Sequence, residues 1–191
     1  MWVRTPTRER RFYLTPTGKR SMNRQWLDGM WSHMRQKYGI YLRVLEAIPA
    51  DRFHEHPVAG MRTPAQTVVH VSGSIVRDIA EGVASGAIAT DEGGEDAVAA
   101  TLSSKDEVLA FAQACWKRAD AAIASVGDEQ LAGGVENSWG IPLNGTFAMV
   151  VINDEFLHHR GQLYSYVRAC GGEPPFMWDF ENNPEGFRPE G

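Results

Sequence analysis

The sequence of 191 residues predicts an all-α fold: a four-helix bundle with long connections between helices 2 and 3 and between helices 3 and 4. Four segments carry apolar residues at intervals of three and four, which is typical of helices that bury one face. Two of these segments open with a capping box. The length supports one domain with a sizeable core.

The first predicted helix runs from about Arg24 to about Ile48. Its apolar residues alternate at intervals of three and four, the pattern of a helix seam in a bundle. Pro49 follows directly and cannot continue the helix, because it lacks a backbone N–H.

The second predicted helix begins at Thr63 and extends to about Gly82. Thr63 fits the N-cap, Pro64 fits the first helical position, and Gln66 can close a capping box. The following stretch, residues 84–102, is rich in Gly, Ala, Asp and Thr and has no clear period. It predicts a long acidic loop.

The third predicted helix opens with a capping box formed by Ser104 and Glu107 and ends at Gly127. Residues 128–145 hold four glycines and a proline and predict a loop, with a short extended piece around Val135. The fourth helix is predicted from about residue 146 to about residue 170, where paired glycines and then paired prolines stop it.

Composition and charge exclude several classes of protein. Hydrophobic residues make up 43% and charged residues 23% of the chain, as in an ordinary soluble domain. No stretch approaches the ~20 apolar residues that span a bilayer, and the start has no apolar signal region, so we expect a cytoplasmic protein without membrane contacts. The two cysteines lie in helical patterns and are interpreted as small buried residues.

The net charge of −5 conceals an asymmetry between the first 21 residues and the rest. Residues 1–21 carry +5 and residues 22–191 carry −10. An acidic body argues against nucleic acid as a partner, since phosphate contacts need clustered Lys and Arg. We therefore expect a flexible basic arm at 1–21, a bundle at 22–180 and a C-terminal tail at 181–191. Met22 is an alternative start.

Glu155 and His159 are the first candidates for chemistry. They lie four residues apart on the fourth helix, so their side chains share one face and can grip one ion. Apolar residues flank them, and a carboxylate and an imidazole near a core are costly unless something pairs with them. A metal ion would do so. The alternative is a Glu–His pair on a solvated face, because two ligands do not make a site.

A third ligand would come from a facing helix. His70 lies among valines in the second helix, where a buried neutral histidine with a hydrogen-bond partner is the alternative interpretation. His33, His54 and His56 are the other histidines that remain, and the His54-Glu55-His56 run is interpreted as a surface loop.

The run HHRGQLY at residues 158–164, followed by GGEPP at residues 171–175, resembles the DinB superfamily of four-helix-bundle metalloproteins. The opening TPAQ at residues 63–66, with His70 further along, resembles the second helix of that family. The resemblance covers the chain from about Met22 to about Pro175.

Members of that family hold a divalent metal with one histidine from the second helix and an H-x-x-x-H pair from the fourth. The resemblance therefore implies His70 and His159 as ligands and puts Glu155 in the place of the usual third histidine. Zinc is the expected metal, with nickel, manganese or iron as alternatives. Beside these ligands, His158, Asp154, Arg160 and Gln162 are candidates for supporting contacts, and Gly161 for close helix packing.

The resemblance also implies an activity, since some family members transfer low-molecular-weight thiols. It favours a metal-dependent enzyme of the thiol-transferase type acting on a small-molecule substrate. The alternatives are a non-catalytic metal-binding or small-molecule-binding stress protein and a non-haem iron oxygenase. No catalytic base is identified; Tyr164 and Tyr166 either line the pocket or pack the bundle.

The chain has more aromatic residues than the core of one bundle needs, and this predicts a homodimer. These residues are Trp26, Trp31, Tyr38, Tyr41, Phe176 and Trp178.

Overall fold

Helix α1 spans Arg24–Glu46. Asn23 is its N-cap, and the Asn23 side chain accepts a hydrogen bond from the N–H of Trp26 at 3.0 Å. The computed structural model describes residues 22–89 and 94–190. The arm predicted at residues 1–21 lies outside these ranges. Helix α1 ends at Glu46, two residues before the predicted end at Ile48 and, as expected, ahead of Pro49.

The second helical segment has three consecutive parts: α2 at Pro64–Val68, a π-helical segment at Val69–Asp78 and α3 at Ile79–Ser85. The predicted capping box at Thr63 and Gln66 is present in both directions, with N···O distances of 3.2 and 2.9 Å. The π winding was not predicted, since the valines and isoleucines of this segment also fit an α-helix. We call residues Val69–Asp78 the π segment.

Two short helices lie where the sequence predicted loops. Helix α4 is described from Gly94 to Thr101, and α6 spans Asp128–Ala132. The prediction of unstructured connections was therefore wrong at both places. Both helices are alanine- or acid-rich and carry too few apolar residues for a period, so contacts with other elements determine their position. Residues 134–144 follow α6 as a loop that turns at residues 138–139, with isolated bridges from Ala87 to Glu136 and from Gly134 to Asn144.

Helices α5, at Lys105–Ala124, and α7, at Gly145–Ala169, complete the long elements. The predicted capping box at Ser104 and Glu107 is present. Gly145 opens α7 at a tight crossing, since a Cβ there would lie 2.2 Å from the carbonyl oxygen of Gln130. No larger residue fits this position without moving α6.

Aromatic side chains and one small hydroxyl fill the core between the long elements. Trp31 of α1 stacks on Trp116 of α5 at 4.9 Å, and Tyr38 lies 5.7 Å from Phe156 of α7. The Ser72 hydroxyl lies 2.9 Å from the Tyr38 hydroxyl and so ties the π segment to α1. The described residues therefore form an all-α fold around one core, and none of their helices is long and apolar enough to cross a bilayer.

The C-terminal segment 181–190 lies against α1. The Asn183 amide donates to the carbonyl oxygens of Gln36 and Phe187 at 2.8 and 2.9 Å. The Phe187 ring lies 6.1 Å from the ring of Tyr38. Residues that the sequence separated as a tail thus cover part of the core.

Candidate metal centre

Helix α7 presents Glu155 and His159 one turn apart, as their spacing predicted. The distance from Glu155 Oε2 to His159 Nε2 is 3.5 Å. The His159 side chain is 10% exposed, and that of Glu155 is 45% exposed. The pair therefore lies at the edge of the core, with the carboxylate toward solvent.

His70 approaches this pair from the π segment. Its ring centroid lies 4.9 Å from that of His159, and the two rings are nearly perpendicular at 83°. One ligand atom from each of His70, Glu155 and His159 lies within 4.8 Å of the others. In residues 22–89 and 94–190, this is the only group of three or more His, Cys, Asp or Glu residues that could hold a metal ion.

The donor set suits a divalent cation. Zinc binds imidazole nitrogen and carboxylate oxygen at about 2.0–2.2 Å in tetrahedral geometry, so two of its ligand atoms lie roughly 3.3–3.6 Å apart. Glu155 and His159 already meet this separation at 3.5 Å, and side-chain rotation would bring His70, whose ligand atom lies within 4.8 Å of both, into range. Burial, together with the nearby His70 and His158, lowers the pKa of His159, although the hydrogen bond with Gln162 and the charge of Glu155 act the other way. His159 is therefore neutral near pH 7, as a metal ligand must be.

Each histidine is oriented by a hydrogen bond through its Nδ1 atom. His70 Nδ1 lies 2.8 Å from Oε1 of Glu95, a carboxylate that can only accept, so Nδ1 carries the proton. His159 Nδ1 lies 2.9 Å from Oε1 of Gln162. In both residues Nε2 is left with a free lone pair for a metal.

A chain of hydrogen bonds fixes the orientation of Gln162. Its Nε2 donates to the Tyr166 hydroxyl at 2.8 Å, and that hydroxyl donates to the carbonyl oxygen of Arg62 at 2.9 Å. Because the amide nitrogen of Gln162 is used in this way, its oxygen faces His159 and accepts. Gln162 thus makes the supporting contact with His159 that the sequence suggested, and Tyr166 holds Gln162 in place.

Glu95 supports His70 from α4. Burial raises the pKa of Glu95, but hydrogen bonds from Ser74 and His70 and the charge of Arg62 together bring it below its ordinary value. The carboxylate is thus ionised at neutral pH, and Arg62 lies 3.3 Å from its second oxygen. The sequence did not indicate Glu95, because it falls in the stretch predicted as a loop.

A pocket of about 1030 Å³ opens beside His70 and Glu155. Its wall is mixed: Arg62, Gln66, Glu95 and Asp96 contribute polar groups, and several apolar side chains contribute the rest. The apolar part of the lining includes Met61, Ile75, Trp139 and Val151. The size and mixed lining suit a small organic molecule.

The other histidines do not belong to this group of three ligands. His158 is exposed, and its ring contacts that of His159 at 4.7 Å. His56 lines the pocket, but its Nδ1 lies 2.6 Å from the carbonyl oxygen of Met61. His54 is exposed, and His33 of α1 packs against Phe180.

Two further predictions on α7 have different outcomes. Gly161 was expected where a neighbouring helix approaches closely; it is exposed, and no atom lies within 4 Å of the position its Cβ would take. That expectation was wrong. Arg160 and Tyr164 point toward α1, not into the pocket, and Asp154 is exposed.

Comparison with known proteins identifies a family and a solved structure with a similar fold. The family model described as the DinB superfamily matches residues 33–163. Among solved structures, a DinB-like protein from Bacillus subtilis, YjoA, is 19% identical, with a TM-score of 0.63. The match covers 78% of this chain and 96% of that chain. No curated protein sequence matches.

Proposed function

The chain belongs to the DinB superfamily, and we propose that His70, Glu155 and His159 together bind one divalent metal ion. One observation carries the proposal: three ligand atoms lie within 4.8 Å of one another, and both imidazoles are held by Nδ1 with Nε2 free. Three protein ligands leave positions on the metal for water or substrate, as in catalytic sites. We propose zinc, with nickel, manganese or iron as alternatives.

The proposed activity is that of a metal-dependent transferase of the thiol type. A bound divalent metal would lower the pKa of a coordinated thiol. Glu95 and Gln162 orient the two histidine ligands, and the pocket wall beside Trp139 and Met61 receives the substrate. The volume of about 1030 Å³ supports a small-molecule substrate such as a low-molecular-weight thiol with its acceptor.

A non-catalytic metal-binding or small-molecule-binding protein is the second candidate. The half-exposed carboxylate of Glu155 favours it, because the anion lowers the net charge of the site and makes a bound thiol or water less acidic than three neutral histidines would. A non-haem iron oxygenase, which also uses two histidines and one carboxylate, is a further alternative.

Elemental analysis of the purified protein tests the metal site. We expect about one divalent metal per chain, lost in His159→Ala and retained in Glu155→His. His158→Ala is the matched control, since it removes the adjacent imidazole but no proposed ligand. Loss of metal in His158→Ala with retention in His159→Ala would overturn the ligand set. Circular dichroism checks that each variant is folded.

An assay with a small thiol and an electrophile distinguishes the first two candidates. Metal-dependent disappearance of the thiol, abolished in His159→Ala, supports the transferase. Stoichiometric metal without turnover for any thiol supports the binding protein, and oxygen consumption by the iron-loaded protein supports the oxygenase.

We also propose that the domain is a four-helix bundle formed by α1, the segment from α2 to α3, α5 and α7, that it is cytoplasmic, and that it forms a homodimer. The exposure of Phe176 and Trp178, at 70% and 57%, supports the dimer. Light scattering at micromolar concentration tests it: a mass near 21.2 kDa, that of one chain, would reject it.

A further inference from the structure

Helix α7 has a second polar flank, on the side away from the metal centre. Asn153, Arg160 and Tyr164 are seven and four residues apart, so they lie along one side of the helix. Lys37 of α1 donates to Oδ1 of Asn153 at 3.0 Å, which identifies this side as the seam between α1 and α7. His159 and Arg160 are about 100° apart around the helix. We call the group of His33, Lys37, Arg160 and Tyr164 the cationic seam.

Arg160 is buried in this seam, and one of its guanidinium nitrogens lacks an acceptor. The residue is 8% exposed, and its Nη1 atom is inaccessible to solvent and lacks a hydrogen-bond partner. The hydroxyl oxygen of Tyr164 is in the same condition. A buried donor that lacks an acceptor is unfavourable, most of all when it carries a charge. Two such groups one turn apart mark the seam as a place where a ligand with acceptor atoms would be stabilised.

The neighbouring basic side chains are Lys37, which is charged at neutral pH, and His33, which is neutral. Burial, then Lys37 and then Arg160, lowers the pKa of His33. Burial, then Arg160, lowers the pKa of Lys37. In the part of the chain that the structure describes, neither Lys37 nor Arg160 forms an ion pair with a carboxylate. The seam thus offers N–H and O–H donors with no anion to receive them.

We propose that the cationic seam binds a small oxyanion, of the phosphate or carboxylate type. An oxyanion has only acceptors, so it can satisfy the Arg160 guanidinium and the Tyr164 hydroxyl together, and Lys37 would neutralise its charge. The site is separate from the proposed metal centre, because it lies on the other flank of α7 and uses none of the three ligands.

Calorimetric titration with inorganic phosphate, against sodium chloride at the same ionic strength, tests the proposal. We expect saturable binding to the wild-type protein. Lys37→Gln should weaken it by about tenfold, the effect of one charge-assisted hydrogen bond of ~1.5 kcal/mol. Lys117→Gln removes an exposed lysine of α5 and should leave binding unchanged. Titration with acetate then distinguishes a carboxylate site from one that needs phosphate.

Tyr164→Phe gives a second test that does not depend on the fold tolerating loss of Arg160. Because the variant removes an unpaired buried hydroxyl, the free protein should be as stable as wild type or more stable, while its stabilisation by phosphate falls. Three results would overturn the proposal: no saturable binding of phosphate or acetate, equal binding in Lys37→Gln and wild type, or binding lost in His159→Ala instead. The last result would assign the anion to the metal.

Discussion

Glu95→Gln tests how far the carboxylate on α4 strengthens the proposed metal site. Glu95 Oε1 lies 2.8 Å from His70 Nδ1, so the imidazole donates to a charged acceptor. Glutamine keeps the shape and an acceptor oxygen but removes the charge. The imidazole should then be less basic and bind a metal less tightly, with the fold intact.

The size of the effect follows from the kind of hydrogen bond that changes. A hydrogen bond to a charged group contributes about 1.5–3 kcal/mol and a neutral one about 0.5–1.5 kcal/mol, a difference of roughly 1–1.5 kcal/mol. The Glu95 side chain is 30% exposed, and Arg62 shares its charge at 3.3 Å, so the lower part of the usual range applies. We expect metal affinity to fall about tenfold, at the low end of the 10–100-fold loss typical of supporting residues.

Competition with a chromophoric chelator measures this affinity. Asp96→Asn is the matched control: it makes the same chemical change one residue further on, where the carboxylate accepts from Gln66 at 2.9 Å and not from His70. We expect its affinity to equal that of wild type. Unchanged affinity in Glu95→Gln, or an equal loss in Asp96→Asn, would refute the reasoning.

Two further predictions concern stability. Gly39→Ala should destabilise the protein and expose the C-terminal segment to proteolysis, because the new Cβ would lie 2.6 Å from Asn183. Gly29→Ala, on the same helix, meets no atom within 4 Å and should stabilise the protein by up to about 1 kcal/mol. Equal melting temperatures for the two variants would contradict this prediction. Burial raises the pKa of Cys115 from 9.0 to about 11, so its thiol should resist alkylation near neutral pH while the less buried Cys170 reacts. The pKa of Cys115 is thus higher in the folded protein than in the unfolded chain, so its contribution to stability is complete below pH 9 and declines as the pH rises toward 11. Measuring the free energy of unfolding of wild type and Cys115→Ala at pH 9 and pH 11 checks the sign.

The long helices could be predicted because their signals are local. Both capping boxes are present where Thr63 and Ser104 predicted them, and α7 begins one residue from its predicted start. Helices α4 and α6 could not be predicted in this way, because α4 buries a single alanine and α6 a single leucine. Contacts such as those of Glu95 and Asp96 hold α4, and only the folded chain brings their partners together.

The candidate site divides along the same line. The i, i+4 spacing indicated that Glu155 and His159 share a face, but His70 could be singled out only through the family resemblance, since valines on both sides equally suit a structural histidine. Glu95 lies 25 residues from His70 in sequence, and no local pattern joins them. The prediction of close packing at Gly161 was wrong, because a glycine in a helix indicates close packing only where that face is covered, and the face of Gly161 is exposed.

The π segment makes the direction of His70 depend on chain length as well as on side-chain chemistry. A π turn closes its backbone ring over five residues where an α turn needs four, so it accommodates an extra residue within a helix. With one residue fewer between positions 71 and 78, the segment could wind as an ordinary α-helix. His70 would then stand about 100° out of phase with the buried face of α3. A single deletion could thus abolish the metal centre without changing any of its ligands.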